Sequence, residues 1–290
     1  MSTRKTELTA AAFVEPLAAR IARPIAGAVA LYWLGQAGFL IHSPRATVLI
    51  DPYLSDSLAQ KYRDTLFPHV RMMPPPIAPD ALGPVDLVLC THHHTDHMDP
   101  GTLAPLARDP ATRFVVPAAK REEAMRRAGV GSERLVCADA GDVLEPFPGV
   151  VIRPVRAAHE TLERDGAGRH LFLGYGIDLE GVRLVHSGDA VPYGGIEDDI
   201  RALDADLALF PVNGRSPYLA ENGVPGNFTL HEAIALARDC GVPHLIAHHF
   251  GMFAFNTIAR ALIEHEITRS EFRVDVHAAS LGIEYRLSLA

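Results

Sequence analysis

The run Thr91-His92-His93-His94-Thr95-Asp96-His97 places four imidazoles and a carboxylate within seven positions. Neutral imidazole is the commonest protein ligand for transition metals and carboxylate oxygen complements it, so this composition points to metal-assisted chemistry. The cluster directly follows Val85 to Cys90 (VDLVLC), an apolar run suited to a strand covered on both faces. Leaving such a strand, His92 and His94 project to the same side, and the next turn can bring Asp96 and His97 to a second point nearby. That geometry suits two metal ions a few ångströms apart. His93, between the paired positions, is expected to point away. A lone histidine is usually just a hydrogen-bonded residue. Four beside a carboxylate repel one another when protonated, and a bound cation removes that penalty.

Further donors are expected after other apolar runs. His159 follows Val150 to Val155, and Asp189 closes His186-Ser187-Gly188-Asp189 after Val182 to Val185. Gly188 allows a tight backbone turn that aims the Asp189 carboxylate inward, where its two oxygens can bridge two cations. His248-His249-Phe250-Gly251 follows Pro243 to Ala247. No cysteine sits at a candidate ligand position, and histidine with carboxylate suits zinc, manganese or iron. The expected cofactors are therefore two divalent transition-metal ions, zinc or manganese, with iron also admitted.

The order of these motifs, together with Trp33-Leu34-Gly35-Gln36-Ala37-Gly38-Phe39 and Asp51-Pro52, resembles the metallo-β-lactamase fold hydrolases over nearly the whole chain. The resemblance implies an α/β fold, a four-layer αββα sandwich with the metal site where strand ends converge. It also implies one ion on His92, His94 and His159, a second on Asp96, His97 and His249, and Asp189 bridging them. The choice of His249 over His248 follows the family's usual ligand before an aromatic residue and a glycine-containing turn. Within that superfamily, Trp33-Leu34-Gly35-Gln36, Val212-Asn213-Gly214-Arg215, Gly226-Asn227 and Ile246-Ala247-His248-His249 are most similar to the branch containing L-ascorbate-6-phosphate lactonase, whose longer insertions this chain lacks.

A hydrolase so built would attack its substrate with a hydroxide held between the two metals, with Asp96 orienting or deprotonating the water. Asp51 and Thr91 are candidates for fixing ligand orientation, although an Asp-Pro at a strand end also serves simply as a turn. Asn213 and Arg215 follow the apolar run Leu207 to Val212. An arginine in such a loop can grip a carboxylate or phosphate bidentately, and with Asn227 these are the candidate substrate contacts. Tyr218 is a weaker one. Three functions compete. The first is hydrolysis of a small ester or lactone-type substrate, with an anionic or phosphorylated one admitted. The second is a phosphodiesterase with the same metals. The third is a non-catalytic metal-binding or scaffold protein, whose signature, a missing ligand, is not found.

The elements that must position these residues are short. Glu7 to Ala22 has roughly helical apolar spacing and is expected to form an amphipathic helix ending near Pro24, a helical extension over residues 1–25. Ala28 to Trp33, Gly38 to His42 and Thr47 to Ile50 read as an antiparallel meander, and Tyr53 to Leu82 as an irregular stretch flanking the site. Strands are expected at Arg113 to Val116, Val150 to Val155, Leu171 to Ile177, Val182 to His186, Leu207 to Val212, Pro243 to Ala247, Phe272 to Val276 and Ile283 to Leu287. Helices are expected at Ala118 to Ala128, Ile196 to Leu203, Leu230 to Asp239 and Asn256 to Glu266. Thr229 with Glu232 has capping-box spacing.

At 290 residues and 48% hydrophobic composition, the chain can bury a core without disulfides. It shows no repeat at a 20 to 50 residue period and no Gly/Ser linker, so one domain over 1–290 is expected. The net charge of −8 opposes a nucleic-acid or anionic-membrane partner and leaves a small-molecule substrate. Self-association through apolar helix faces stays open. Cys90, Cys137 and Cys240 fit no disulfide framework, and no secretory signal or spanning segment is read, so a cytoplasmic location is expected.

Overall fold

The computed structural model describes residues 5–269 and 273–290. One sheet contains β1 (Thr6–Ala12), β2 (Val29–Gly35), β3 (Gly38–His42), β4 (Thr47–Ile50), β5 (Leu87–Leu89), β6 (Arg113–Pro117) and β7 (Leu135–Ala138). A second contains β8 (Leu144–Phe147), β9 (Val150–Arg156), β10 (Leu173–Leu179), β11 (Val182–His186), β12 (Leu207–Pro211), β13 (His244–His248) and β14 (Asp275–Ala278). The last strand, β15 (Ile283–Leu289), returns to the first sheet between β1 and β2. The helices are α1 (Leu17–Ile21), α2 (Ser57–Lys61), α3 (Pro100–Leu106), α4 (Arg121–Ala128), α5 (Ile196–Arg201), α6 (Pro217–Glu221), α7 (Leu230–Cys240) and α8 (Arg260–Arg269).

Strand periodicity sorts the core into layers. Along β2, Val29, Leu31 and Trp33 enter the cluster shared with the second sheet, while Ala30, Tyr32 and Leu34 join the cluster containing Leu103 and Leu106 of α3 and Ala124 of α4. The same alternation in VDLVLC sends Leu87 and Leu89 to the inter-sheet core and Val88 and Cys90 beneath the helices. Helices α5, α7 and α8 pack on the second sheet. Both faces of the central strands are thus covered, giving the αββα sandwich.

The two sheets repeat one plan. β2 to β4 pair antiparallel and β4 to β7 parallel. β9 to β11 pair antiparallel and β11 to β14 parallel. Parallel pairing aligns the carboxyl ends of neighbouring strands, which concentrates the following loops at one edge of the sandwich.

The N-terminal expectation is corrected. Glu7 to Ala22 does not form one helix, and the described part of the expected 1–25 extension, residues 5–25, is not a helical extension. Thr6–Ala12 instead pairs antiparallel with β15, and only the five residues of α1, entered after Pro16, are helical. Edge pairing with the C-terminal strand outweighs alanine's helix propensity, and Pro16 interrupts any continuous helix. The helix expected from Asn256 begins instead at Arg260, leaving Asn256 in a turn, and Phe272, where a strand was expected to begin, lies outside the described residues. Tyr53 to Leu82 is irregular except for α2 and a 3-10 turn at Pro79–Ala81. β7, β8, α3 and α6 were not anticipated. For α3 a signal existed: Asp99 caps it by accepting from Gly101 N at 3.0 Å, with Pro100 at its first position.

Candidate metal centre

The chemistry-bearing residues follow the carboxyl ends of five strands, four of them in parallel pairs and β9 paired antiparallel on both sides. Asp51 follows β4, the histidine cluster follows β5, His159 follows β9, Asp189 follows β11 and His249 follows β13. Gly188 has φ +64°, and a Cβ there would lie 2.6 Å from the Leu173 carbonyl, so only glycine admits the turn that delivers Asp189. His249 itself has φ +66°, Gln36 +53° and Asp51 +45°. A left-handed backbone costs a non-glycine residue roughly 1–2 kcal/mol, and here it recurs at three positions around one site.

The ligand atoms of His92, His94 and His159 lie within 4.8 Å of one another, as do those of Asp96, His97 and His249. A third such group, His92, His97 and Asp189, links them. Asp189 Oδ2 is 3.3 Å from His97 Nε2 and 3.4 Å from His159 Nε2, while its Oδ1 is 3.2 Å from His249 Nε2. This carboxylate therefore stands between the two outer groups. His248 joins none of them. It is buried at a ring-centroid distance of 4.9 Å from His186, in a stacked arrangement, and edge-on to Phe39 at 5.3 Å.

Partners behind the cluster set ring orientation. Asp51 accepts from Thr91 N at 2.8 Å and Thr91 Oγ1 at 2.6 Å, and its Oδ2 accepts from His97 Nδ1 at 2.7 Å. With its proton given to Asp51, Thr91 Oγ1 accepts from His92 Nδ1 at 3.0 Å. His159 Nδ1 donates to the Gly226 carbonyl at 3.2 Å. In each of the three histidines Nδ1–H is engaged behind, which leaves the Nε2 lone pair for a cation. Gly226 is itself required, because a Cβ there would lie 2.5 Å from the Arg215 Cα.

Sequence reasoning gave no role to Gln36. Its Nε2 donates to Asp96 Oδ2 at 2.9 Å and lies 3.2 Å from His249 Nε2, while its carbonyl accepts from His249 N at 3.0 Å and Trp33 Nε1 at 3.0 Å. The Trp-Leu-Gly-Gln string held the signal, but only the fold shows what it touches.

Electrostatics distinguishes the imidazoles. Burial, reinforced by His97 and His94, drives the His92 pKa well below the usual range, and burial beside His159 takes His94 down to about 3. Burial also lowers His159. These rings are neutral at physiological pH, as ligation requires. His97 behaves oppositely. Burial disfavours its charge, but Asp189, Asp51 and Asp96 surround it and raise its pKa well above normal. Burial pushes Asp96 up, yet His97, His249 and the Gln36 hydrogen bond bring it below its ordinary value, so it is ionised. The centre thus holds an excess of carboxylate charge that calls for a cation. His92 Nε2, His97 Nε2 and Asp189 Oδ1 are buried without a hydrogen-bond partner. Each would cost roughly 1–3 kcal/mol if nothing satisfied it, and all belong to the same grouping. The donor set fits divalent metal.

Above these groups opens a cavity of 330 Å³. His94, Asp96, His159, Asp189 and His249 line it, opposite an aromatic wall of Tyr62, Phe67, His69 and Phe253. Tyr62 stacks on His69 at 4.3 Å. Tyr62, Phe67 and His69 belong to the stretch from Tyr53 to Met73, pinned by Met72 N–H donating to Met252 O at 2.8 Å and by Arg71 donating to the Tyr53 and Ser55 carbonyls. His93 is corrected here: it joins no ligand group, yet it lines the cavity rather than turning away.

The three candidate substrate contacts are not at this cavity wall. Arg215 is engaged by both Glu232 oxygens at 2.6 and 2.7 Å, reinforcing the Thr229 capping box of α7. Asn227 is buried and donates to Asn213, which in turn donates to Asn256. Arg215, Asn213 and the exposed Tyr218 border a neighbouring cleft.

Residues 46–250 match the family model for the beta-lactamase superfamily domain. The chain belongs to that superfamily. It is 33% identical over 209 residues to a UPF0173 metal-dependent hydrolase of Cupriavidus taiwanensis, covering 67% of this chain and 68% of the relative. A UPF0173 metal-dependent hydrolase of Rubrobacter xylanophilus is 25% identical, with 89% and 96% covered. This superfamily member is therefore a metal-dependent hydrolase. The same fold occurs in the crystal structure of a possible metal-dependent hydrolase from Veillonella parvula, at TM-score 0.71, 17% identity and coverage of 89% of this chain and 99% of that one. Among the described residues, no helix is long and apolar enough to cross a membrane.

Proposed function

We propose that this chain is a dinuclear metal hydrolase of small ester or lactone-type substrates. The observation that carries the proposal is the position of Asp189, whose carboxylate reaches histidines of both outer ligand groups, Oδ2 near His159 and His97 and Oδ1 near His249, at one cavity. His92, His94 and His159 would hold one ion and Asp96, His97 and His249 the other, with Asp189 shared. Such ions supply a nucleophile from water near neutral pH and polarise the substrate's acyl oxygen.

The protein's own groups do the rest. Asp96, ionised and held by Gln36, accepts a proton at its carboxylate and can return it to the leaving oxygen. Asp51 and Gly226 keep the His97 and His159 rings from turning. Tyr62, Phe67 and Phe253 receive the apolar part of the substrate and exclude water from one side. Lys61 and Arg127 at the cavity accommodate an anionic substituent. A cavity of 330 Å³ suits a small molecule.

The test is turnover of three probes, γ-butyrolactone, p-nitrophenyl acetate and bis(p-nitrophenyl) phosphate, by zinc-loaded and manganese-loaded protein. The expected result is metal-dependent hydrolysis of the lactone or ester, abolished in Asp189→Ala. Preference for the phosphodiester would establish the phosphodiesterase function instead. Stoichiometric metal without turnover of any probe would favour a binding or scaffold role.

A further inference from the structure

Three asparagine amides form a directed chain that ends at the cavity. Asn227, fully buried, donates from Nδ2 to Asn213 Oδ1 at 3.0 Å, and Asn213 donates from Nδ2 to Asn256 Oδ1 at 2.8 Å. Asn256 lines the cavity together with His249, and with its Oδ1 accepting from Asn213 its Nδ2–H is the group left for a ligand. No hydrogen bond engages that donor among the described residues.

The backbone keeps the chain in register. Asn213 and Thr229 form an isolated antiparallel bridge, closed by Asn227 N donating to Gly214 O at 2.8 Å and Gly214 N donating to Phe228 O at 3.0 Å. Asn256 N is tied to Phe253 O at 3.1 Å, in the segment that supplies the aromatic wall. Donors in series polarise one another, so the terminal N–H is a stronger donor than an isolated amide.

We infer that Asn256 is a substrate-binding residue whose Nδ2–H grips an acceptor oxygen of the substrate, a carbonyl, hydroxyl or carboxylate placed away from the bond being cleaved, and that Asn213 and Asn227 are the positioning residues that fix it as a donor. The inference rests on the proposed hydrolase function and deepens it. The preferred substrate is a small lactone or ester with an apolar frame against Phe67 and Phe253 and a second oxygen directed at Asn256. Aspartate at 256 would replace the donor with an acceptor and repel that oxygen.

The test uses zinc-loaded full-length protein with [15N]asparagine. Adding 3,4-dihydroxybutyrate, the product of β-hydroxy-γ-butyrolactone, whose 3-hydroxyl stands apart from the cleaved ester, should shift the Asn256 side-chain NH2 resonances saturably. Asn256→Ala should raise KM for β-hydroxy-γ-butyrolactone about tenfold, and KM for unsubstituted γ-butyrolactone far less, with kcat and zinc content near wild type. Asn213→Ala should raise KM as well and broaden the Asn256 pair, a signature that lost packing alone does not produce. An Asn256 pair unmoved at saturating 3,4-dihydroxybutyrate, or a wild-type KM for β-hydroxy-γ-butyrolactone in Asn256→Ala, overturns the inference. A responding pair in protein that hydrolyses none of the probes supports this subsite and removes the hydrolase proposal.

Discussion

At the residue scale, the function depends on which ring nitrogen each histidine offers. The shared arrangement of His92, His97 and His159 is an engaged Nδ1 and an inward Nε2, and it is set by Thr91, Asp51 and the Gly226 carbonyl. Asp51→Ala should therefore weaken metal binding about 10- to 100-fold, measured by chelator competition, while circular dichroism stays native. Unchanged affinity would show that Asp51 is only a turn former. His93 and His94 separate ligand from wall: His94→Ala should lose bound metal, whereas His93→Ala should keep it and alter KM, because its ring lines the cavity without joining a ligand group. Much of this scale was legible beforehand, since donor type and strand-end spacing alone picked out His92, His94, Asp96, His97, His159 and Asp189 as neighbours. Gln36 and Asn256 were not legible. Their roles arise from contacts between segments 60 and 43 residues apart, which no local pattern encodes.

At the scale of elements, short strands and their loops do the positioning. The alternation of VDLVLC and the capping box at Thr229 and Glu232 could be read directly because each follows from local periodicity or local hydrogen bonding. β1 could not, because its partner β15 lies at the other end of the chain. Arg215 shows the opposite failure: an arginine in a glycine-containing loop looked like an anion contact, and its partner turned out to be Glu232 of α7. That pairing, with the Thr229 hydrogen bonds, lowers the Glu232 pKa from 4.5 to about 2. Because the folded pKa is depressed, the stabilisation is full above the ordinary carboxylate range and is lost as pH falls through it toward 2. Both side chains are partly exposed, so Arg215→Ala should cost about 1 kcal/mol at pH 7 by urea unfolding and less at pH 2. An equal loss at both pH values would remove the Glu232 pairing as its cause, and an unchanged stability with a raised KM would restore Arg215 to the substrate.

At the scale of the whole molecule, two sheets built on one pairing plan bring their carboxyl strand ends to a common edge, and every ligand group lies there. The αββα layering was legible from motif order and resemblance. The repetition of the pairing plan was not, because strand pairing can recur without recurrence of side chains. Buried carboxylates and unpartnered ring nitrogens make the metal-free fold carry a cost at its centre. Saturating zinc should therefore raise the thermal midpoint, and a chelator should lower it. The central claim is tested most directly by elemental mass spectrometry on protein purified without a metal-affinity tag. A dinuclear centre predicts about two transition-metal equivalents per chain, falling in Asp189→Ala. Protein that contains no metal and takes up neither zinc nor manganese on titration would contradict it.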